Sequence, residues 1–412
     1  MAYSIAMLSV HTSPLDTPGR TKDAGGMNVY VYQLARELGQ RSHRIDLFTR
    51  WTDKHQPRIV HISENVRVIH IQAGPLAPVH KHDLYHYIPA FVQQVRAFAH
   101  REEQVYDILH SHYWLSALAA QELAQCWHMP HVTMFHTLGR LKQLANPSEG
   151  EPSLRIESEA RLLRSVDRVI TATPDERSQI MRLCGVPAER IEVIPCGVDL
   201  MLFTPQNRVL ARKQLGLDPH RPVLLFVGRL DPFKGPDILL RAASMMEEDA
   251  QIVIVGGRLS ADPDLQKLKA LAHHLGLDRR VHFLGARPQS ELPMLYSAAD
   301  MTVVPSYHES FGLVAVESLA CGTPVIATRA GGLTTIVRHN ETGFLVPRSA
   351  EFFAARIDLF LRHPALRERM RAAARSSVLR YSWKHIADQV ACVYADLIEE
   401  ERLVVGASFM TP

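Results

Sequence analysis

Short β-branched runs alternate with helix-period segments along almost the whole chain, and that alternation leaves few folds open. Ser4 to Val10, Arg44 to Thr49, Val66 to Ile71, Ile108 to Ser111, His131 to His136, Arg168 to Ala172 and Ile191 to Ile194 read as strands. Between them, Val29 to Gly39, Tyr87 to Arg101, Ser116 to Trp127 and Ser153 to Ser165 carry the helical period. Strictly alternating elements predict an α/β protein with a parallel, doubly wound sheet and helices on both faces. The pattern loosens between Pro195 and Pro222, then restarts with Val223 to Gly228, Gln251 to Val255, Val281 to Leu284, Met301 to Val304 and Val325 to Thr328. A chain of 412 residues suits two cores better than one. The expected division is 1–195, 196–378 and a tail, 379–412, with an amphipathic helix from Ser382 to Glu401.

Composition removes several classes of function. Charge is nearly balanced, 46 basic against 43 acidic residues, which argues against a nucleic-acid partner. The five cysteines are scattered and form no C-x-x-C pair, as expected of a reducing cytoplasm without disulfides or structural zinc. The N-terminus, MAYSIAMLSVH, lacks a basic region and a cleavage site and reads as a strand. No apolar run is long enough to predict a membrane span. Many histidines are present, 22 in all, but no H-E-x-x-H arrangement makes them a metal site. Oligomeric state is not readable from the sequence.

The stretch PSYHESFGLVAVESLACGTPVIATRAGG, residues 305 to 332, carries the most chemistry. A strand end leads into a loop, a short helix from Gly312 to Cys321, a second strand and the pair Gly331-Gly332. Gly322 and Pro324 stop the helix. Glu317 sits among Val316, Leu319 and other apolar residues, where a carboxylate needs a partner. A core arginine would serve, and so would the hydroxyls of a ligand. Glu309 precedes the helix, and a helix start offers amide donors and partial positive charge to an anion. The site suits a ligand bearing both hydroxyls and phosphates.

Upstream, VGRLDPFKG puts Arg229 at a strand end and Lys234 just before a helix, with Gly235 leaving the backbone accessible. Taken alone these are surface cations; with the acids downstream they form an anion clamp. DAGGMN, Asp23 to Asn28, is a glycine pair at a helix start, which permits close backbone approach to phosphate or sugar. It lacks G-x-G-x-x-G, which disfavours a nicotinamide dehydrogenase. HSHYWLS and MFHTL place His110, His112, Tyr113, His136 and Thr137 at strand ends, His136 feeding a loop with Arg140 and Lys142. Lone histidines are more often structural, and Arg161 in ESEARLLR has an ordinary helix ion pair as its plain explanation.

Together, E-x7-E with S-F-G inside it, G-T-P-V-I-A after it and the upstream Arg-Lys pair resemble the donor site of retaining glycosyltransferases of the GT-B fold. The chain is similar to the group holding sucrose-phosphate synthases and inositol-phosphate N-acetylglucosaminyltransferases, over nearly its whole length. The resemblance implies two Rossmann-like domains facing across a cleft, with the terminal helix crossing back to the first. It implies a UDP-sugar donor held by Gly26, Arg229, Lys234, Arg287, Glu309, Phe311, Gly312, Leu313 and Glu317. Glu317 would take the ribose hydroxyls, Glu309 the hexose, and the backbone of 311–313 the sugar and diphosphate. Arg258 borders the same cleft. The phosphorylated acceptor would meet Gly25, Gly26, Asn28, Lys81, Tyr113, Thr137 and Arg161. Catalysis would rest on His136, Arg229, Lys234 and Glu309. No metal is expected, because two cations neutralise the leaving diphosphate and no D-x-D loop is present. With no nucleophilic carboxylate on the acceptor side, a same-face route through an oxocarbenium-like transition state is implied.

Two acceptors follow from the resemblance. Fructose 6-phosphate, nearly universal in cells, makes the chain a sucrose-phosphate synthase using UDP-glucose, and this reading is preferred. Met-Asn after the glycines is nearer the inositol-phosphate branch, with UDP-N-acetylglucosamine as donor. An idle sugar-nucleotide-binding protein is the alternative of another class.

Overall fold

The computed structural model describes residues 2–18, 24–147, 150–259 and 262–408. The chain divides into two compact units. The first takes the described residues of Met1–Asp16, Met27–Pro195 and Trp383–Pro412; the second takes those of Thr17–Gly26 and Cys196–Ser382.

The first unit is built on strands β1 (Ser4–Leu8), β2 (Arg44–Arg50), β3 (Ile59–Ser63), β4 (Val66–Ile71), β5 (Ile108–His112), β6 (His131–Met134), β7 (Arg168–Thr171) and β8 (Ile191–Val193). They form an eight-stranded sheet in the order β3-β4-β2-β1-β5-β6-β7-β8. All neighbours are parallel except β3 and β4, which pair antiparallel through an irregular register. β3 is absent from the sequence expectation. It is a half-exposed edge strand, IVHIS, without the continuous apolar run that marks its buried neighbours. The central strands are sealed: Ile5, Met7, Leu47, Phe48 and Leu109 have no exposed surface. The Ile88–Arg101 helix lays Phe91, Val95 and Phe98 onto this sheet. Burying each ring or branched chain contributes about 1.5–3 kcal/mol.

The second unit is a six-stranded, wholly parallel sheet of β9 (Val223–Val227), β10 (Gln251–Val255), β11 (Val281–Phe283), β12 (Met301–Val304), β13 (Val325–Thr328) and β14 (Gly343–Val346), ordered β11-β10-β9-β12-β13-β14. Its core joins Leu224, Phe226, Ile252, Ile254 and Val303 to Phe353, Ile357 and Phe360 of the Ala350–Arg362 helix.

The terminal helix, Trp383–Ser408, packs on the first unit. Ile386, Val390, Tyr394 and Leu397 are buried at helical spacing. Arg41 donates to Asp388 at 2.6 Å and to the Lys384 carbonyl at 2.6 Å, and the Trp383 ring meets Tyr30 edge-on at 5.4 Å.

Both sheets reverse winding direction once, between β1 and β5 in the first and between β9 and β12 in the second. In open α/β sheets, ligands sit outside the carboxyl ends of strands at such a reversal. Gly25, Tyr113, Arg229, Lys234 and Glu309, among the residues singled out from the sequence, lie in the loops that leave these strands.

Candidate active site

In the second unit, the loops after the neighbouring strands β9, β12 and β13 converge. Glycines make this possible. Gly235 has φ +73°, and a Cβ there would come 2.5 Å from the Pro305 carbonyl oxygen. At Gly331, φ +51°, a Cβ would meet the Glu309 carbonyl at 2.2 Å, and at Gly332 the Phe311 carbonyl at 2.4 Å. Arg348 ties the first two loops by donating to Pro305 O at 2.9 Å and Pro232 O at 3.0 Å, with its guanidinium 3.5 Å above the Tyr307 ring.

Lys234 Nζ reaches both Glu309 oxygens, at 2.7 and 2.8 Å, and Ser306 donates to the same carboxylate at 2.7 Å. Burial pushes Glu309 upward, but the Lys234 charge and these hydrogen bonds carry it below the ordinary carboxylate range. Arg229 pairs with Asp231 at 3.1 Å. The predicted clamp and the first acid thus lie in one charged cluster.

Glu317 lies on the Leu313–Ala320 helix and is 4% exposed. Among the described residues no core arginine serves it. Its hydrogen bonds come from Tyr296 Oη at 2.7 Å and Gln289 Nε2 at 3.1 Å, both neutral. Burial pushes Glu317 up to about 7, against these two donors. The side chain of Phe311 is buried against Tyr381, edge-on at 5.4 Å, so only its backbone borders the loop surface. Gly312 takes φ +108° and starts the helix, its carbonyl accepting from the amides of Ala315 and Val316, while the first amides, at Leu313 and Val314, have no acceptor one turn back in the helix. Arg287 follows β11 and pairs with Glu291 at 3.3 Å. Arg258 is exposed.

In the first unit the loops after β1, β5 and β6 meet. His11 lies 4.2 Å from the Tyr113 ring, and the Arg155 guanidinium covers that ring at 4.9 Å. Arg155 also donates to the Thr137 carbonyl at 2.7 Å and to Thr137 Oγ1 at 3.3 Å. Burial, then the charges of Lys81 and Arg155, lower His11 to about 3, so it is neutral at physiological pH. Tyr113 adopts φ 77°, ψ 156°, a region that only glycine enters freely, and His136 has φ 61°. Strain at two adjacent strand ends is held only where the surroundings over-determine it, which marks functional sites.

Arg161 does not join this group. It is exposed on the Ser153–Ser165 helix, whereas Arg155, six residues earlier, is the arginine that contacts Tyr113 and Thr137. Arg155 is 2% exposed and held by Glu159 at 2.7 Å and Glu151 at 2.8 Å, the latter also binding Lys142 at 2.7 Å. Arg155 and Glu159 are spaced i, i+4 on this helix, and Glu151 lies just before its first turn.

Asn28 is 1% exposed, and its amide nitrogen donates to Thr12 Oγ1 at 2.7 Å and Ser13 O at 2.6 Å, holding the loop after β1. Gly25 and Gly26 group with the second unit, and the helix they introduce is Gly26–Gln40. Asp23 lies outside the described residues. His136 Nε2 is 3.0 Å from His112 Nδ1. Among the described residues no three His, Cys, Asp or Glu side chains converge as a metal site.

A family model described as Glycosyltransferase Family 4 matches residues 24–202, and one described as Glycosyl transferases group 1 matches residues 207–377. The D-inositol 3-phosphate glycosyltransferase of Xylanimonas cellulosilytica is 41% identical over 401 residues, 95% of this chain and 96% of the relative. The chain belongs to the GT-B glycosyltransferases. A second such relative, from Acidothermus cellulolyticus, is 42% identical over 97% of this chain and 91% of its own. Among solved structures, sucrose-phosphate synthase from Thermosynechococcus elongatus is similar with a TM-score of 0.90 and 35% identity, over 97% of this chain and 100% of that one. For this GT-B glycosyltransferase the curated relatives favour the inositol-phosphate branch over the fructose 6-phosphate branch preferred from sequence. No helix among the described residues is long and apolar enough to cross a membrane.

Proposed function

We propose that the chain transfers N-acetylglucosamine from its UDP derivative to an inositol phosphate, with retention at the anomeric carbon and without a metal. The observation that carries this reading is the cation-lined group in the first unit, joined to the naming of relatives that are 41% and 42% identical. Lys81, the Tyr113 hydroxyl and the Thr137 hydroxyl would supply donors a phosphate monoester needs, and Arg155 positions the last two. Neutral His11 adds a polar ring without repelling those cations.

The second unit would hold the donor. Arg229 and Lys234 would take the diphosphate, Lys234 exchanging part of its bond with Glu309 for a phosphate oxygen. Glu309 would then be available to hexose hydroxyls and Glu317 to the ribose. As the glycosidic bond breaks, negative charge grows on the diphosphate, and fixed cations there favour the transition state over the ground state. Arg287 would border the base. His136 would contact the hexose beside the reacting carbon. The departing phosphate oxygen, on the same face as the incoming hydroxyl, would help to take its proton.

Fructose 6-phosphate is the second reading, supported by 35% identity to a sucrose-phosphate synthase. A panel crossing UDP-N-acetylglucosamine and UDP-glucose with inositol 3-phosphate and fructose 6-phosphate, read by UDP release, separates the two. Release with the first donor and the cyclitol supports the proposal. Release only with UDP-glucose and fructose 6-phosphate replaces it with the synthase. Tight UDP binding without turnover on any pair leaves a binding protein.

A further inference from the structure

His136 stands on a base of buried imidazoles. His112, at the end of β5, is fully buried and points Nδ1 at His136 Nε2, 3.0 Å away. His110, two residues before it on β5, lies 4.2 Å from His112 between ring centroids, the two rings tilted by 45°. His110 Nδ1 is in turn 2.6 Å from Tyr394 Oη on the terminal helix. Tyr30 places its ring edge-on 5.0 Å from His136 and 5.7 Å from His112. All of these groups belong to the first unit.

A contact between two ring nitrogens at 3.0 Å needs one hydrogen between them. Both rings are neutral: burial lowers His136 to about 3, and burial together with His110 and His136 lowers His112 far below its usual value. Two arrangements remain. If His136 donates, His112 must carry its hydrogen on Nε2. That atom is sealed from solvent and has no acceptor among the described residues. If His112 donates from Nδ1, its Nε2 is left with only a bare lone pair. An orphaned buried N–H is much rarer than an under-used acceptor, so the second arrangement is favoured.

We infer that His112 is a positioning residue that fixes the tautomer of His136, leaving His136 with a hydrogen on Nδ1 as its one remaining donor. His136 can then donate to an oxygen of the transferred hexose and cannot act as a base through that nitrogen. This also accounts for the backbone: the His112 bond and the Tyr30 edge hold His136 at φ 61°. The tautomer stands on the geometry alone; its effect on turnover rests on the glycosyltransferase reading of the site.

The test is nitrogen-15 spectroscopy of the full-length, histidine-labelled protein without ligand, paired with kinetics on UDP-N-acetylglucosamine and inositol 3-phosphate. Protonated Nδ1 and bare Nε2 on His136 are expected. In His112→Phe the fixed tautomer should give way to a mixture, with kcat falling about 10- to 100-fold and donor KM moving little. His112→Asn, whose amide can still donate towards His136, should keep the wild-type His136 signature and most of kcat. A hydrogen on His136 Nε2 in the wild-type spectrum overturns the inference whether or not the phenylalanine variant folds. An unchanged kcat in folded His112→Phe overturns its catalytic part. The site reading fails separately: His136→Ala with full turnover would remove it while leaving the spectrum untouched.

Discussion

Replacing Glu317 by glutamine should make the empty protein more stable and a poorer binder of its donor. Glu317 is buried, with only the neutral donors Tyr296 and Gln289 at its oxygens, and it is pushed from an ordinary 4.5 up to about 7. The folded protein therefore keeps a proton that the unfolded chain releases as pH rises through 4.5. Stability attributable to this group is fully present below that pH and is lost as pH climbs to about 7. At roughly 1.4 kcal/mol per pKa unit, holding Glu317 ionised costs about 3 kcal/mol above that window. Glutamine resembles the protonated acid: its oxygen accepts from Tyr296, and its amide donates to Gln289 once that side chain flips. The variant should gain about 1–3 kcal/mol at pH 8 and close to nothing near pH 5. Urea melts of both proteins at the two pH values give the difference directly. Calorimetric titration with UDP should show at least about tenfold weaker binding, since a charge-assisted hydrogen bond is worth about 1.5–3 kcal/mol. A stability difference that is the same at both pH values, or a less stable variant at pH 8, would refute the reasoning.

Lys234→Ala should lower kcat by about 100-fold or more. Because it leaves Glu309 buried without its cation, it should also lower the melting midpoint, and turnover retained in the folded variant would count against the clamp. Arg155→Met should raise the KM for inositol 3-phosphate by about tenfold or more, whereas exposed Arg161→Ala should change it less than about twofold; the reverse order would return the role to Arg161. Gly332→Ala should abolish donor binding, because a Cβ would come 2.4 Å from the Phe311 carbonyl and push the 309–311 loop out of place. Normal UDP affinity in that variant would show that the loop is dispensable.

The loops proposed to hold the donor were legible as a cluster in the sequence because each is local. Gly331-Gly332, Glu309 and Glu317 fall within one strand–helix–strand unit, and their spacing survives folding unchanged. What held Glu317 was not legible: Tyr296 and Gln289 lie 21 and 28 residues away and carry no motif. Arg161 and Arg155 lie on one helix. Six residues place them about 120° apart around its axis, so they face different sides: Arg155 is buried between Glu151 and Glu159, and Arg161 is exposed. Asn28 has the residue type expected of a ligand contact, yet the structure uses its amide nitrogen to fasten the loop after β1. The His112–His136 pair joins positions 24 apart. It exists because β5 and β6 are neighbours with His112 opposite Met134, a register that no local pattern reveals. β3 was missed because an exposed edge strand needs no apolar alternation.

The measurement that bears most directly on the account is a structure of the protein with UDP bound. The nucleotide should lie at the carboxyl ends of β9 and β12, with ribose hydroxyls within hydrogen-bond reach of Glu317 and the diphosphate against Arg229 and Lys234. A nucleotide bound elsewhere, or one whose phosphates touch neither cation, would contradict it.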